Sequence, residues 1–330
     1  MIEPIEAAAG RADLEGWLAG LGRSVREIQP LTGDVSPRRY ARLRFEDGTT
    51  AILATYPSDI APVCLRFLRT TEILEGAGVR VPRVLAADCD GGGWMLLEDL
   101  GPRTLGDWKE RSWSELAGYF EDAVGIIDRI AGLPAGDLAE LNPMLGRELL
   151  KKELAQTWEV FLEPRGLTGD PALAEILRAV LDAMCDALGS ETPVPCHRDF
   201  MARNLMPLPG ASQVAVLDHQ DLRLGPPFYD LASLLNDTVF PPPEAEEALL
   251  ARALPSPVDR VRYHRAAAQR TLKAVGTYAA FARRGADRHL PLIGPTLSRS
   301  LGHLALVPES AALVVDLGRV WGPALRPAEG

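Results

Sequence analysis

The spacing of apolar residues along this chain changes once. Up to about residue 100 they alternate over short runs, and beyond it they recur every three or four residues. A short helix is predicted over about residues 11–21. VREIQPL and RRYARLRF follow as predicted strands, the second setting Tyr40, Arg42 and Arg44 against Ala41, Leu43 and Phe45. Glu46-Asp47-Gly48 predicts a hairpin leading into TAILATY. A helix is predicted over 62–75, stopped by Gly76 and Gly78. RVLAAD and WMLLED read as two more strands around Asp90-Gly91-Gly92-Gly93. That glycine run predicts a turn, because no helix starts after it to make a phosphate cradle. From Thr104 onward helices are predicted near 113–131, 147–162 and 171–188. Short strands and a loop interrupt, and helices resume over 228–235, 244–253, 257–284 and in the tail.

Composition narrows the choices. The chain has 330 residues, 47% hydrophobic, enough for two lobes with cores of their own. A net charge of −10 argues against a general binder of nucleic acid or of membrane surfaces. The four cysteines, Cys64, Cys89, Cys185 and Cys196, lack Cys-x-x-Cys spacing and read as reduced thiols of a cytoplasmic protein. MIEPIEAAAG has no basic head or apolar core, so no signal peptide is expected, and no apolar run is long enough to predict a membrane span.

The candidate chemistry lies in the interruption. HRDFMARN, His197 to Asn204, is followed by LDHQD, Leu217 to Asp221. His-x-Asp-x-x-x-x-Asn and then Asp at the end of an apolar segment is the spacing of kinase-type phosphoryl transfer. In such a site the loop Asp orients the attacking hydroxyl and accepts its proton, here Asp199. The loop Asn and the later Asp hold Mg²⁺, here Asn204 and Asp218. Mg²⁺ prefers oxygen and keeps water and substrate phosphate in its shell, so one amide oxygen and one carboxylate suffice. The expected fold is therefore α+β in two lobes. Residues 1–100 would form a small antiparallel-sheet lobe that binds nucleotide, and residues 101–330 a mostly helical lobe with the catalytic loop and substrate site. The boundary is expected within EDLGPRT, Glu98 to Thr104.

These motifs, with the segment GPPFYDLASLLND from Gly225 to Asp237, resemble the aminoglycoside phosphotransferase-like superfamily, which includes choline kinases. Over nearly the whole chain TGDVSPRRYARL, LLEDLG, LDHQD and QRTLKAVG are similar to the anomeric kinases of N-acetylmuramate and N-acetylglucosamine from bacterial cell-wall recycling. The resemblance implies an ATP- and Mg²⁺-dependent kinase making a sugar 1-phosphate, with a small sugar as its partner, and Asp230 as an anchor of the catalytic region. Read on its residue type alone, Asp230 is a helix cap and hydrogen-bond anchor.

One departure matters. The third strand should carry a Lys for the α- and β-phosphates, and TAILATYP has Ala54 and Thr55 there. Arg38, Arg39 and Arg203 are the candidate replacements, Arg203 as a catalytic residue. Glu72, the usual partner of that Lys, reads as a surface residue. Thr32, Gly33, Asp34 and Ser36 would cover the phosphates, with Arg38 beside them. Glu98 and Leu100 occupy the segment that meets adenine. Gln220, Asp221, Gln269 and Lys273 are candidates for the sugar, with Arg270 and Lys273 alternatively a solvated helix face. Trp108, Trp113 and Trp158 are candidate stacking surfaces for a sugar, and more simply core. Two other readings stay open: a kinase for another small alcohol (an aminoglycoside, choline, homoserine or a ketosamine), or a nucleotide-binding pseudokinase that lacks the strand Lys.

Overall fold

The computed structural model describes residues 11–31, 37–210 and 212–325. The chain divides into two compact units. One runs to Pro102 and takes in Ala215–Gln220; the other comprises Arg103–Val214 and the chain from Asp221 onward. The break near the expected boundary is thus joined by a second crossing, which a single cut at 98–104 did not include.

In the first unit α1 (Arg11–Gly20) precedes five strands, β1 (Val25–Leu31), β2 (Arg39–Phe45), β3 (Thr50–Thr55), β4 (Val84–Asp88) and β5 (Trp94–Glu98), with α2 (Ala61–Gly76) between β3 and β4. The sheet order is β1-β2-β3-β5-β4, and every neighbouring pair is antiparallel. Period-two alternation decides which side chain faces which helix. Leu43, Phe45, Ala51, Leu53, Trp94 and Leu96 pack with Leu14 and Leu18 of α1. Ala54, Tyr56, Met95 and Leu97 pack with Cys64 and Phe67 of α2. Between β4 and β5 the glycines form the predicted turn, in which the Asp88 carboxylate accepts from the N–H groups of Gly91 at 3.0 Å and Gly92 at 2.9 Å.

Packing α2 against β4 and β5 corrects one expectation. Cys64, on α2, and Cys89, just past the end of β4, form a disulfide with their Cα atoms 5.6 Å apart. Sequence spacing could not foretell a link that the helix-on-sheet contact creates. Cys185 and Cys196 remain free and buried.

The second unit holds α3 (Trp113–Ala131), α4 (Gly136–Ala139), α5 (Arg147–Thr157), α6 (Pro171–Ser190), α7 (Tyr229–Leu235), α8 (Pro243–Ala253), α9 (Pro257–Arg283), α10 (Leu290–Leu304) and α11 (Val314–Leu325). Short strands β6 (Val194–Cys196), β7 (Leu205–Pro207), β8 (Val214–Val216) and β9 (Arg223–Gly225) interrupt them, with β8 carrying the chain across to the first unit. Ser112 and Glu115 form a reciprocal cap at the start of α3. The helix expected over 147–162 is α-helical only to Thr157. A π-helical turn over Trp158–Leu162 then buries Trp158, Phe161 and Leu162 together. Trp158 lies in the core beneath Arg178. Trp108 and Trp113 pack edgewise or tilted on Tyr119 and Phe120. The long α9 passes close to α5 at Gly276, where an added Cβ would stand 2.7 Å from the Thr157 Cα.

Candidate active site

The second unit builds the candidate catalytic loop from the end of β6, which pairs antiparallel with β9. Asp230, on α7, accepts the backbone N–H of His197 at 2.6 Å and of Arg198 at 2.8 Å. The expected anchor is therefore present. It ties down the loop rather than capping its own helix, which starts at Tyr229 after Phe228 with no side-chain cap. Burial pushes the Asp230 carboxyl up to about 6, against the opposing influence of His197 and its two N–H donors. Arg198 takes a left-handed backbone (φ 74°) unusual outside glycine. Its guanidinium joins Glu153 of α5 at 2.8 Å to Asp221 at 3.0 Å.

That scaffold presents Asp199. Its Oδ1 accepts from the Lys273 Nζ of α9 at 3.0 Å, and the Arg270 guanidinium stands 3.6 Å away. Burial would raise this carboxyl, but Lys273, Arg198 and Arg270 outweigh it and hold the group well below the ordinary range. Burial likewise lowers the Lys273 ammonium. The Asn204 amide nitrogen donates to the Asp199 carbonyl at 2.8 Å, which fixes the turn.

Several candidates take other places than expected. Arg203 donates to Asp237 at 2.9 and 3.3 Å, and Asp237 is fully buried. Gln269 is fully buried too. It accepts from the Tyr229 hydroxyl at 2.9 Å and donates to Glu153 at 3.2 Å, so it braces α5, α7 and α9 instead of facing a sugar. Arg270 and Lys273 are no solvated face: their side chains are 4% and 14% exposed. Asp221 is gripped by Arg198 and Arg223, yet a third of its side chain stays exposed.

In the first unit Asp218 also has a left-handed backbone (φ 58°). Its Oδ1 accepts from the Arg38 guanidinium at 2.7 Å and from the Gln220 amide at 3.0 Å. Gln220 is buried on Asp218, a poor place from which to read a sugar. His219, between them, is fully buried, hydrogen-bonded to Thr70 at 2.9 Å and packed on the Phe67 ring. The backbone N–H of Glu98 donates to the Arg83 carbonyl, and its carboxylate pairs with Arg80 at 2.6 Å; Leu100 is half-buried. Glu72 lies on the surface with Arg69. Thr32, Gly33, Asp34 and Ser36 lie outside the described residues.

Sequence reasoning missed three supports. Arg42 donates to both Asp99 oxygens and to the Gly101 carbonyl, fixing the end of the first unit. Glu153 is a carboxylate on the buried face of α5 between Leu150 and Leu154, a placement that itself signals a charged partner. Asp237 closes a segment already singled out, but nothing in sequence pairs it with Arg203.

The model of the phosphotransferase enzyme family matches residues 27–289. The chain belongs to that family. This family member is a phosphotransferase. It is 30% identical over 282 residues, 80% of each chain, to an N-acetylmuramate/N-acetylglucosamine kinase of Pseudomonas aeruginosa. It is 31% identical over 314 residues to one of Neisseria meningitidis, covering 86% of this chain and 89% of the other. Its fold matches the GDP complex of an aminoglycoside 2′-phosphotransferase with TM-score 0.63 at 14% identity, over 88% of this chain and 97% of that one. The α+β, kinase-like architecture expected from sequence is thus the fold of this phosphotransferase. Among the described residues no helix is long and apolar enough to cross a membrane.

Proposed function

We propose that this phosphotransferase is an ATP- and Mg²⁺-dependent kinase that phosphorylates the anomeric hydroxyl of an N-acetylated amino sugar. The substrate would be N-acetylmuramate, N-acetylglucosamine or both, and the product a sugar 1-phosphate. The observation that carries the substrate class is the similarity, over four-fifths or more of both chains, to kinases named for those two sugars.

Asp199 receives the proton of the anomeric hydroxyl while that oxygen bonds to the γ-phosphorus. The bond from the γ-phosphorus to the bridging oxygen breaks, and ADP leaves with the electron pair. A carboxylate held strongly ionised by Lys273 is a weak base. That suits a loose transition state, in which the proton moves late and orientation matters most. An anomeric hydroxyl is also more acidic than an ordinary alcohol. Lys273 keeps the carboxylate aimed and balances its charge. Asn204 and Asp218 are assigned to Mg²⁺, which when bound neutralises phosphate charge. One amide oxygen and one carboxylate are the ligand types a hard cation prefers. Asp221, the most exposed of the sugar candidates, is assigned to ring hydroxyls. Arg203, paired with Asp237, is assigned to holding the loop.

The test incubates purified protein with MgATP and a panel of N-acetylhexosamines, aminoglycosides and amino alcohols, following ADP release. Phosphorus NMR and acid lability then identify the product. An acid-labile 1-phosphate of an N-acetylated amino sugar is expected. Turnover of choline or an aminoglycoside with none on any N-acetylhexosamine would overturn the substrate assignment.

A further inference from the structure

We propose that Arg38, at the entry to β2, supplies the positive charge to the nucleotide phosphates that β3 lacks, by exchanging Asp218 for phosphate oxygens as Mg²⁺ and nucleotide bind. The proposal rests on the reading of the protein as an ATP-dependent kinase.

Three observations carry it. The first is register. β3 contains no Lys or Arg from Thr50 to Thr55, and its last residue, Thr55, lies opposite Arg39 of β2. Arg38 therefore sits at the entry to the neighbouring strand, one residue beyond the paired end of β3. The second is burial. The Arg38 side chain is only 12% exposed, and its guanidinium lies over the Tyr40 ring at 6.0 Å. A cation withdrawn this far from water needs an anion. The third is the identity of that anion. Arg38 Nη2 lies 2.7 Å from Oδ1 of Asp218, the residue assigned to Mg²⁺, and Gln220 donates to the same oxygen.

A guanidinium meets carboxylate and phosphate oxygens with the same planar fork. When a divalent cation takes the Asp218 carboxylate, Arg38 gives up this contact. Nucleotide phosphates, arriving with that cation, take its place. Arg38 and Mg²⁺ therefore act together: the arginine guards the acidic residue when no nucleotide is bound and becomes a phosphate ligand when one is.

The experiment is calorimetric titration of the whole protein with ADP, with and without Mg²⁺, and with adenosine, for wild type, Arg38→Met and Arg38→Lys. Each variant is checked first by circular dichroism. Arg38→Met is expected to bind MgADP about 10- to 100-fold more weakly, the range carried by one hydrogen bond to a charged group. Adenosine, which brings no phosphate, should bind all three proteins alike, and Arg38→Lys should fall between wild type and Arg38→Met for MgADP. MgADP affinity of Arg38→Met within twofold of wild type overturns the proposal, and so does an equal loss for adenosine. A wild type that binds adenine nucleotides in none of these titrations overturns the kinase reading as well, which separates that failure from the failure of Arg38 alone.

Discussion

Reducing the Cys64–Cys89 bond should loosen α2 without unfolding the protein. The bond closes a span of 25 residues. In the chain-entropy description a loop of that length restricts the unfolded chain by about 3.5 kcal/mol. Reduction keeps both sulfurs in place beside Phe67, Met95 and Leu97, so little packing is lost and the entropic effect stands nearly alone. At 1.4 kcal/mol per factor of ten, opening of this region should become roughly 300-fold more frequent. Amide hydrogen exchange reads this directly. Backbone amides of α2, β4 and β5 should exchange far faster in reductant, while those of α9 in the other unit keep their rates. A Cys64→Ala/Cys89→Ala variant should show the fast pattern with or without reductant. Because Thr70 and Phe67 of α2 hold His219 beside Asp218, MgADP affinity should fall in parallel. Unchanged exchange in α2 upon reduction, verified by thiol titration, would refute the reasoning.

Asp199→Asn should lower kcat by about 10²- to 10⁴-fold while MgADP binding, measured by calorimetry, stays within a few-fold; wild-type turnover would remove Asp199 from the chemistry. Asp237→Ala leaves Arg203 without its buried carboxylate and should destabilise the second unit by about 3 kcal/mol in urea unfolding, the low end for such pairs because Arg203 reaches solvent. Gly276→Ala forces α9 away from the Thr157 backbone and should lower the melting temperature, at a cost of about 1–3 kcal/mol. His264 and His303 lie with their Nδ1 atoms 3.1 Å apart, and burial, then nearby arginines, pushes His264 down to about 4 and His303 well below its usual value. Between about 6.5 and 4 the unfolded chain thus binds more protons, so stability is full above that window and falls as pH drops through it. The urea midpoint should show this slope, and a His264→Asn/His303→Asn variant should show a shallower one.

What the sequence disclosed follows the range of each interaction. The sheet and most helix limits were legible because alternation and helical spacing act over a few residues; TAILATY and the 113–131 stretch announce themselves. The candidate loop was legible because its residues are neighbours in the chain. Partners were not. Gln269 and Lys273 lie one turn apart on α9, and sequence assigned both to a sugar; only packing shows that Gln269 binds Tyr229 and Glu153 while Lys273 binds Asp199. The Cys64–Cys89 and Arg38–Asp218 pairs likewise join residues with no local signal between them. The π-helical turn after Thr157 escaped because its apolar residues keep nearly the spacing of an ordinary helix.

The return of Ala215–Gln220 to the first unit sets an order of events in synthesis. The Val216 N–H donates to the Arg80 carbonyl at 2.8 Å, and His219 fills the space against Phe67 and Thr70. A nascent chain that has passed Pro102 therefore lacks part of its first unit until more than a hundred further residues have been made. At roughly 5–20 residues per second that wait is on the order of ten seconds. Through it the open flank of α2 is exposed to proteases and to chaperones. An N-terminal fragment ending at Pro102 should accordingly be a poor folding unit, and a split of this enzyme into two expressed halves would need the 215–220 segment grafted back to the first.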